Sequence, residues 1–176
     1  MQDRPDISTM TNPQTFFFKD DGKIPNSKYP LLVYKNVFAE RGVKGAGWLE
    51  ALFAKNQWTN SWRNGVFTYH HYHSISHEVL GVFAGNALLH MGGENGEKIR
   101  VEAGDILVIP AGVGHKKLES SGDFGVVGAY PDGRDYDILR GEPGDRPKAD
   151  QNIAKVPKPA LDPFSGKSGG LITLWV

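Results

Sequence analysis

The sequence predicts an all-β protein, an antiparallel sandwich or barrel, on three observations. From Gly65 to Tyr130, short apolar runs alternate with turn signals about every ten residues, the spacing of short antiparallel strands. No strand–helix–strand alternation interrupts them, which argues against a parallel sheet. And one of these runs, Gly65 to Gly85, holds His70, His71, His73 and His77 beside Glu78, four of the chain's 6 histidines, a polar cluster that an interior does not hold without compensation. The remaining composition fits one domain: 176 residues, 39% hydrophobic and 23% charged. Lys+Arg and Asp+Glu are each 20, so no net field recruits nucleic acid or an anionic membrane. There are no cysteines, which excludes disulfides, thiolate nucleophiles and Cys-ligated zinc. The amino terminus lacks the apolar run of a signal peptide, and no stretch reaches transmembrane length. The cytoplasm is the expected compartment.

Taken in order, residues 1–14 form a polar leader broken by Pro5 and Pro13. Residues 15–62 are expected to pack on the barrel as strands and one helix. Thr15–Lys19 and Leu31–Tyr34 read as short strands around a turn-rich loop. Trp48, Leu49, Leu52 and Phe53 recur at helical spacing and predict a helix ending at Lys55. Trp58 and Trp62 follow in a polar loop, where they cap the barrel or line a pocket, capping being the favoured reading. The barrel core, 63–131, comprises predicted strands Val66–His73, Glu78–Phe83, Ala87–Met91, Lys98–Val101, Asp105–Ile109, His115–Leu118 and Phe124–Tyr130. Residues 132–176 are rich in proline and charge and are expected to run as an extended tail. Leu171–Val176 reads as a terminal strand that returns to the body or reaches a second subunit. With aromatic Phe16–Phe18, it makes a homodimer the expected assembly.

Alternate side chains of a strand share a face. His71 and His73 therefore look one way with Phe67 and Tyr69, and His70 and Tyr72 look the other. Imidazole and carboxylate together suit one divalent transition metal: Fe, Mn, Ni, Zn or Cu. His77 keeps the strand parity. Glu78 breaks it and needs a bend, which Ser74–Ile75–Ser76 can supply because serines compete for backbone hydrogen bonds. Both stand as third ligand on this reading. In Gly104–His115, an apolar strand ends at Pro110, and Gly112 and Gly114 allow a turn that swings His115 back inward. Phe67 and Tyr69 face a small-molecule pocket on this reading, or simply fill the core. His77-Glu78 begins like a zinc-protease HExxH, but Gly81 stands where the second His belongs. No phosphate loop of Walker type is present, and Gly92–Gly96 is better explained as a hairpin.

The pair of stretches resembles the cupin superfamily. Gly65, His71, His73, Glu78 and Gly85 match its first motif at the family's spacings, and Gly104, Pro110, Gly112 and His115 match its second. The closing Asn of the second motif is Glu119 here, at a position that is not a ligand in the family. With the flanking FKDDGKIPN and FGVVGAYP, most of the chain resembles small bacterial cupins of the YjlB-like type. The resemblance implies a double-stranded β-helix, or jelly roll, with the metal inside. It implies His71, His73, Glu78 and His115 as ligands. The six residues from Glu78 to Gly85 favour the carboxylate over His77, leaving His77 and His70 at the surface or behind the ligands. It does not imply a reaction, since the family's members range from oxygenases and isomerases to storage proteins. A metal-dependent enzyme of dioxygenase or isomerase type and a non-catalytic binder of a sugar or organic acid are both expected readings.

Overall fold

The computed structural model describes residues 12–176; most of the expected leader lies outside the described residues. Among the described residues, nine strands and three helices follow in order. They are β1 (Gln14–Phe16), β2 (Leu31–Tyr34), α1 (Gly42–Lys55), β3 (Trp58–Asn64), β4 (Glu78–Ala84) and β5 (Asn86–Met91). Then come β6 (Glu97–Glu102), β7 (Ile106–Ile109), β8 (His115–Ser120), β9 (Gly125–Pro131), α2 (Lys148–Lys155) and α3 (Leu171–Leu174). Six strands form one sheet in the order β1-β2-β7-β4-β9-β3, and three form the other in the order β6-β5-β8. Every strand pairing is antiparallel. This is the double-stranded β-helix that the motifs imply.

The large sheet is covered on both faces over β2, β7, β4 and β9, so these strands read as largely apolar runs. Leu31 and Val33 of β2, Leu80 and Val82 of β4 and Leu107 and Ile109 of β7 turn inward. There they join Leu89 and Met91 of the small sheet in the barrel core. Their alternates, Leu32, Tyr34, Val79, Ile106 and Val108, turn outward under Leu49 and Phe53 of α1. Burial of that outer face makes a two-layer body outside the barrel, and the chain's end completes it. Leu171 and Trp175 are fully buried in the same cluster. The Trp175 indole stacks on Tyr29, with centroids 5.2 Å apart, and donates to the carbonyl of Pro30 (2.9 Å).

Several expectations are corrected here. Leu171–Leu174 is a short helix on the chain's own outer core, not a terminal strand. The buried carboxylate of Asp162 organises it, accepting from the backbone N–H of Leu171 (3.0 Å), Phe164 (2.8 Å) and Ser165 (2.9 Å) and from the Tyr34 hydroxyl (2.9 Å). The tail is not wholly extended either, since it contains α2. Trp58–Asn64, expected as a loop, is an edge strand paired with β9. Trp58 is buried in the outer core rather than capping the barrel. Val66–His73, expected as a strand, has no continuous ladder; an isolated antiparallel bridge joins His71 to His115. Helix α1 begins at Gly42, earlier than its aromatic stripe predicts. No helix among the described residues is long and apolar enough to cross a membrane.

Candidate metal centre

The structure brings His71, His73, Glu78 and His115 together inside the barrel. Glu78 opens β4, opposite Ile109 of β7, on the inward parity of Leu80 and Val82. His115 opens β8, and its backbone exchanges both hydrogen bonds with His71 (3.2 and 2.9 Å). The turn between β7 and β8 holds the third imidazole, for Gly112 N–H donates to the carbonyl of His73 (2.8 Å). Gly112 sits at φ +96°, and a Cβ there would lie 2.4 Å from the carbonyl oxygen of Asn26. Only glycine fits that turn.

All three rings are oriented from behind. His71 Nδ1 faces the carbonyl of Tyr69 (3.1 Å), His115 Nδ1 that of Val113 (3.1 Å) and His73 Nδ1 that of Asp137 (2.5 Å). Carbonyls only accept, so each Nδ1 carries the hydrogen and each Nε2 lone pair is free. One ring nitrogen from each of the three histidines lies within 4.8 Å of the other two. Glu78 Oε1 joins them at 3.4 Å from His73 Nε2 and 3.3 Å from His115 Nε2. Its other oxygen, Oε2, accepts from the Tyr130 hydroxyl (2.9 Å), which in turn accepts from the Trp62 indole (2.7 Å). Trp62 reaches that position across Gly128, where a Cβ would meet the indole at 2.3 Å. The buried His73 Nε2 has no hydrogen-bond partner. An orphaned imidazole nitrogen, two more aimed beside it and a carboxylate oxygen with a free lone pair fit a divalent transition ion.

Electrostatics agree with that donor set. Burial, then the neighbouring His115, drives the His71 pKa down to about 2, keeping that ring neutral. Burial opposes ionisation of Glu78, but His73 and His115 outweigh it and hold the carboxyl below the usual range. Burial likewise opposes charging of His73, and the Glu78 carboxylate together with Asp137 outweighs it and raises the pKa. The buried carboxylate thus calls for a positive partner, a role that a proton on His73 or a bound cation fills.

These groups form the floor of a cavity of about 410 Å³. Phe67 lines it, as its parity predicts. Tyr69 stacks behind Phe67 (5.0 Å) under the guanidinium of Arg140 (3.7 Å) and lies outside the lining. His77 points away from the centre. Its Nδ1 accepts from the N–H of Ala111 (2.8 Å), and its ring packs beside Tyr29 and Trp175. His70 also points away, pairing with Glu94 (2.7 Å) beside His90 on the outer face of the small sheet. Glu119 sits on that outer surface as well, paired with Arg100 (3.0 Å), and does not edge the pocket.

Sequence reasoning missed part of the lining. Tyr130 was within reach, because β9 alternates Val126, Gly128 and Tyr130 inward. Trp62 lines the cavity, the less favoured of its two sequence readings. The segment after β9 closes over the centre: Tyr136 stacks on Tyr130 (4.5 Å) and meets the edge of His73 (5.5 Å). Asp137 fixes Ser74 through its backbone N–H (2.6 Å) and its hydroxyl. Nothing periodic in Asp135–Arg140 signals this role.

No protein-family model matches the chain. It is similar to the uncharacterised protein YjlB of Bacillus subtilis (strain 168), with 48% identity over 164 residues, spanning 93% of this chain and 96% of the relative. Among solved structures it is similar to an uncharacterised conserved protein with a double-stranded β-helix domain from Klebsiella pneumoniae. That overlay has TM-score 0.36 and 17% identity over 77% of this chain and 89% of the other. It is similar to a predicted oxalate decarboxylase from Thermotoga maritima (TM-score 0.35, 16% identity, 70% of this chain, 95% of the other). It is also similar to acireductone dioxygenase from Bacillus anthracis with a cadmium ion in its active centre (TM-score 0.34, 16% identity, 54% and 58%).

Proposed function

This chain belongs to the YjlB-like family of cupins, and from that premise we propose that it is a metal-dependent enzyme acting on a small molecule, of dioxygenase or isomerase type. One observation supports this reading above others. Three imidazole nitrogens and one carboxylate oxygen converge at the floor of a cavity of about 410 Å³, a volume suited to a small ligand. His71, His73, His115 and Glu78 would hold one divalent ion of Fe, Mn, Ni, Zn or Cu. When bound, that ion supplies Lewis acidity, or with iron or copper a redox couple, next to the substrate. The chain's own residues do the rest. The Nδ1 bonds keep each Nε2 lone pair aimed inward. Tyr130 occupies Glu78 Oε2 and so leaves Oε1 to the centre. Phe67, Leu80 and Ile138 give the cavity apolar walls that exclude water around a bound molecule.

A second reading, a non-catalytic binder with a structural metal, has one observation in its favour. Glu78 is the lone carboxylate among the described lining residues; its Oε2 accepts from Tyr130, and its Oε1 would be taken up by the metal. No free carboxylate base stands beside a bound molecule. Elemental analysis of the purified protein, followed by oxygen uptake across candidate substrates, separates the two. Stoichiometric iron with oxygen consumption supports an oxygenase. Tight metal with no turnover on any substrate class supports a binder, and the absence of stoichiometric metal overturns both.

A further inference from the structure

We propose that Lys117 makes the cavity an anion site, so that the molecule bound there is a compact organic acid whose carboxylate meets the Lys117 ammonium. This rests on the metal-centre reading above and names the ligand class of that same site.

Register fixes where the side chain points. Cross-strand partners share a face: His115 pairs with buried Met91, and Lys117 pairs with buried Leu89. His115 and Lys117 therefore face the barrel interior one pleat apart, while Lys116, opposite His90, faces out. Lys117 lines the cavity together with the centre and is half-buried. Its backbone N–H donates to the carbonyl of Phe67 (2.8 Å), which fixes the strand against the cavity rim. Among the described residues its ammonium meets no carboxylate. The other cation of the lining is already engaged, since Arg63 pairs with Glu50 through two bonds (2.5 and 3.1 Å). Lys117 is thus the unmatched positive charge of the cavity.

Charge and wall chemistry then select the ligand. With a divalent ion at the centre, the charges of the ion and Lys117 exceed that of Glu78, the lining's lone carboxylate. A partly desolvated ammonium without a counter-charge is costly, and an entering carboxylate offsets that cost. A neutral sugar would need many hydrogen-bonding groups around its hydroxyls, but Val66, Phe67, Leu80 and Ile138 make up much of the wall. The pattern fits a short acid with an apolar body.

The test is calorimetric titration of zinc-loaded protein with benzoate and butyrate, and with benzamide and butyramide as neutral isosteres, with metal content measured on the same samples. The wild type is expected to bind the better of the two acids about tenfold or more tighter than its amide, as for a hydrogen bond to a charged group. Lys117→Met is expected to lose that preference while keeping its zinc, and Lys117→Arg to recover most of it. Equal affinity for acid and amide, no binding of either acid, or an unchanged preference in Lys117→Met, in protein that holds its zinc, overturns the anion site and leaves the metal centre standing. Wild-type protein that takes up no zinc or other divalent transition metal overturns the metal-centre reading and this inference with it.

Discussion

Replacing Tyr130 with Phe removes one oxygen atom and two hydrogen bonds, and the structure assigns each a different consequence. The hydroxyl donates to Glu78 Oε2 at 2.9 Å and accepts from the Trp62 indole at 2.7 Å. Tyr130 and Glu78 are both buried, so water does not readily replace the missing oxygen. A hydrogen bond to a charged group is worth about 1.5–3 kcal/mol, and stranding a buried partner puts the loss toward the upper end. About 3 kcal/mol lowers the melting temperature of a domain this size by about 6–12 °C. The metal effect is separable from that. Without the hydroxyl, Glu78 is free to turn and share its charge between both oxygens, and loss of a hydrogen bond behind a ligand weakens metal affinity by about 10–100-fold. Competition against a chromophoric chelator measures the affinity, and thermal unfolding of metal-free protein measures the stability. If Tyr130→Phe lost stability but held metal as tightly as wild type, Tyr130 would be a packing residue, and its proposed control of Glu78 would be refuted.

Three further outcomes are expected. His73→Ala should reduce metal from stoichiometric to background by elemental analysis with an unchanged far-ultraviolet spectrum, because His73 lies outside the strand ladders; retained metal would refute its role as a ligand. Asp162→Ala removes the acceptor of the Tyr34 hydroxyl and three backbone N–H groups, for an expected loss of about 3 kcal/mol or more; unchanged thermal unfolding and unchanged resistance of residues 160–176 to proteolysis would refute its anchoring role. Burial lowers the His77 pKa from 6.5 to about 3, so below pH 6.5 the unfolded state binds the extra proton and stability falls as pH falls, by about 1.4 kcal/mol per pH unit. Urea unfolding of metal-free protein at pH 7 and pH 5.5 should therefore show a smaller loss for His77→Asn than for wild type; equal losses would show that His77 is not held neutral.

The barrel was readable because its strands obey simple alternation or form short apolar runs between glycine turns. Parity alone put His71 and His73 on one side, and it did so although their segment is not a ladder strand. The motif spacing favoured Glu78 over His77, and in the structure His77 is turned away by a hydrogen bond from Ala111. Illegible parts depend on tertiary partners. Trp58–Asn64 is polar because it is an edge strand exposed at every residue but Trp58 and Trp62, with a bulge between Thr59 and Trp62. Leu171–Val176 has strand-like residues, yet Asp162, remote in the periodic pattern, accepts the first N–H of the helix and commits the segment to it. The start of α1 carries Gly42, Gly45 and Gly47, poor helix formers that hid its first turns.

Of the candidate ligands, Glu78 and His115 open β4 and β8 and His71 and His73 lie in the segment between β3 and β4, whereas Tyr136 and Ile138 line the same cavity from a later, irregular stretch of chain. Instructions for holding an ion and instructions for choosing a guest are thus written in separate passages. Substitutions in Asp135–Arg140 change what covers the cavity, although Tyr136 packs on the edge of His73 and the main-chain oxygen of Asp137 steadies that ring. Because a backbone atom steadies His73, that contact survives a change of side chain at 137, whereas the grip on Ser74 belongs to the carboxylate and goes with it.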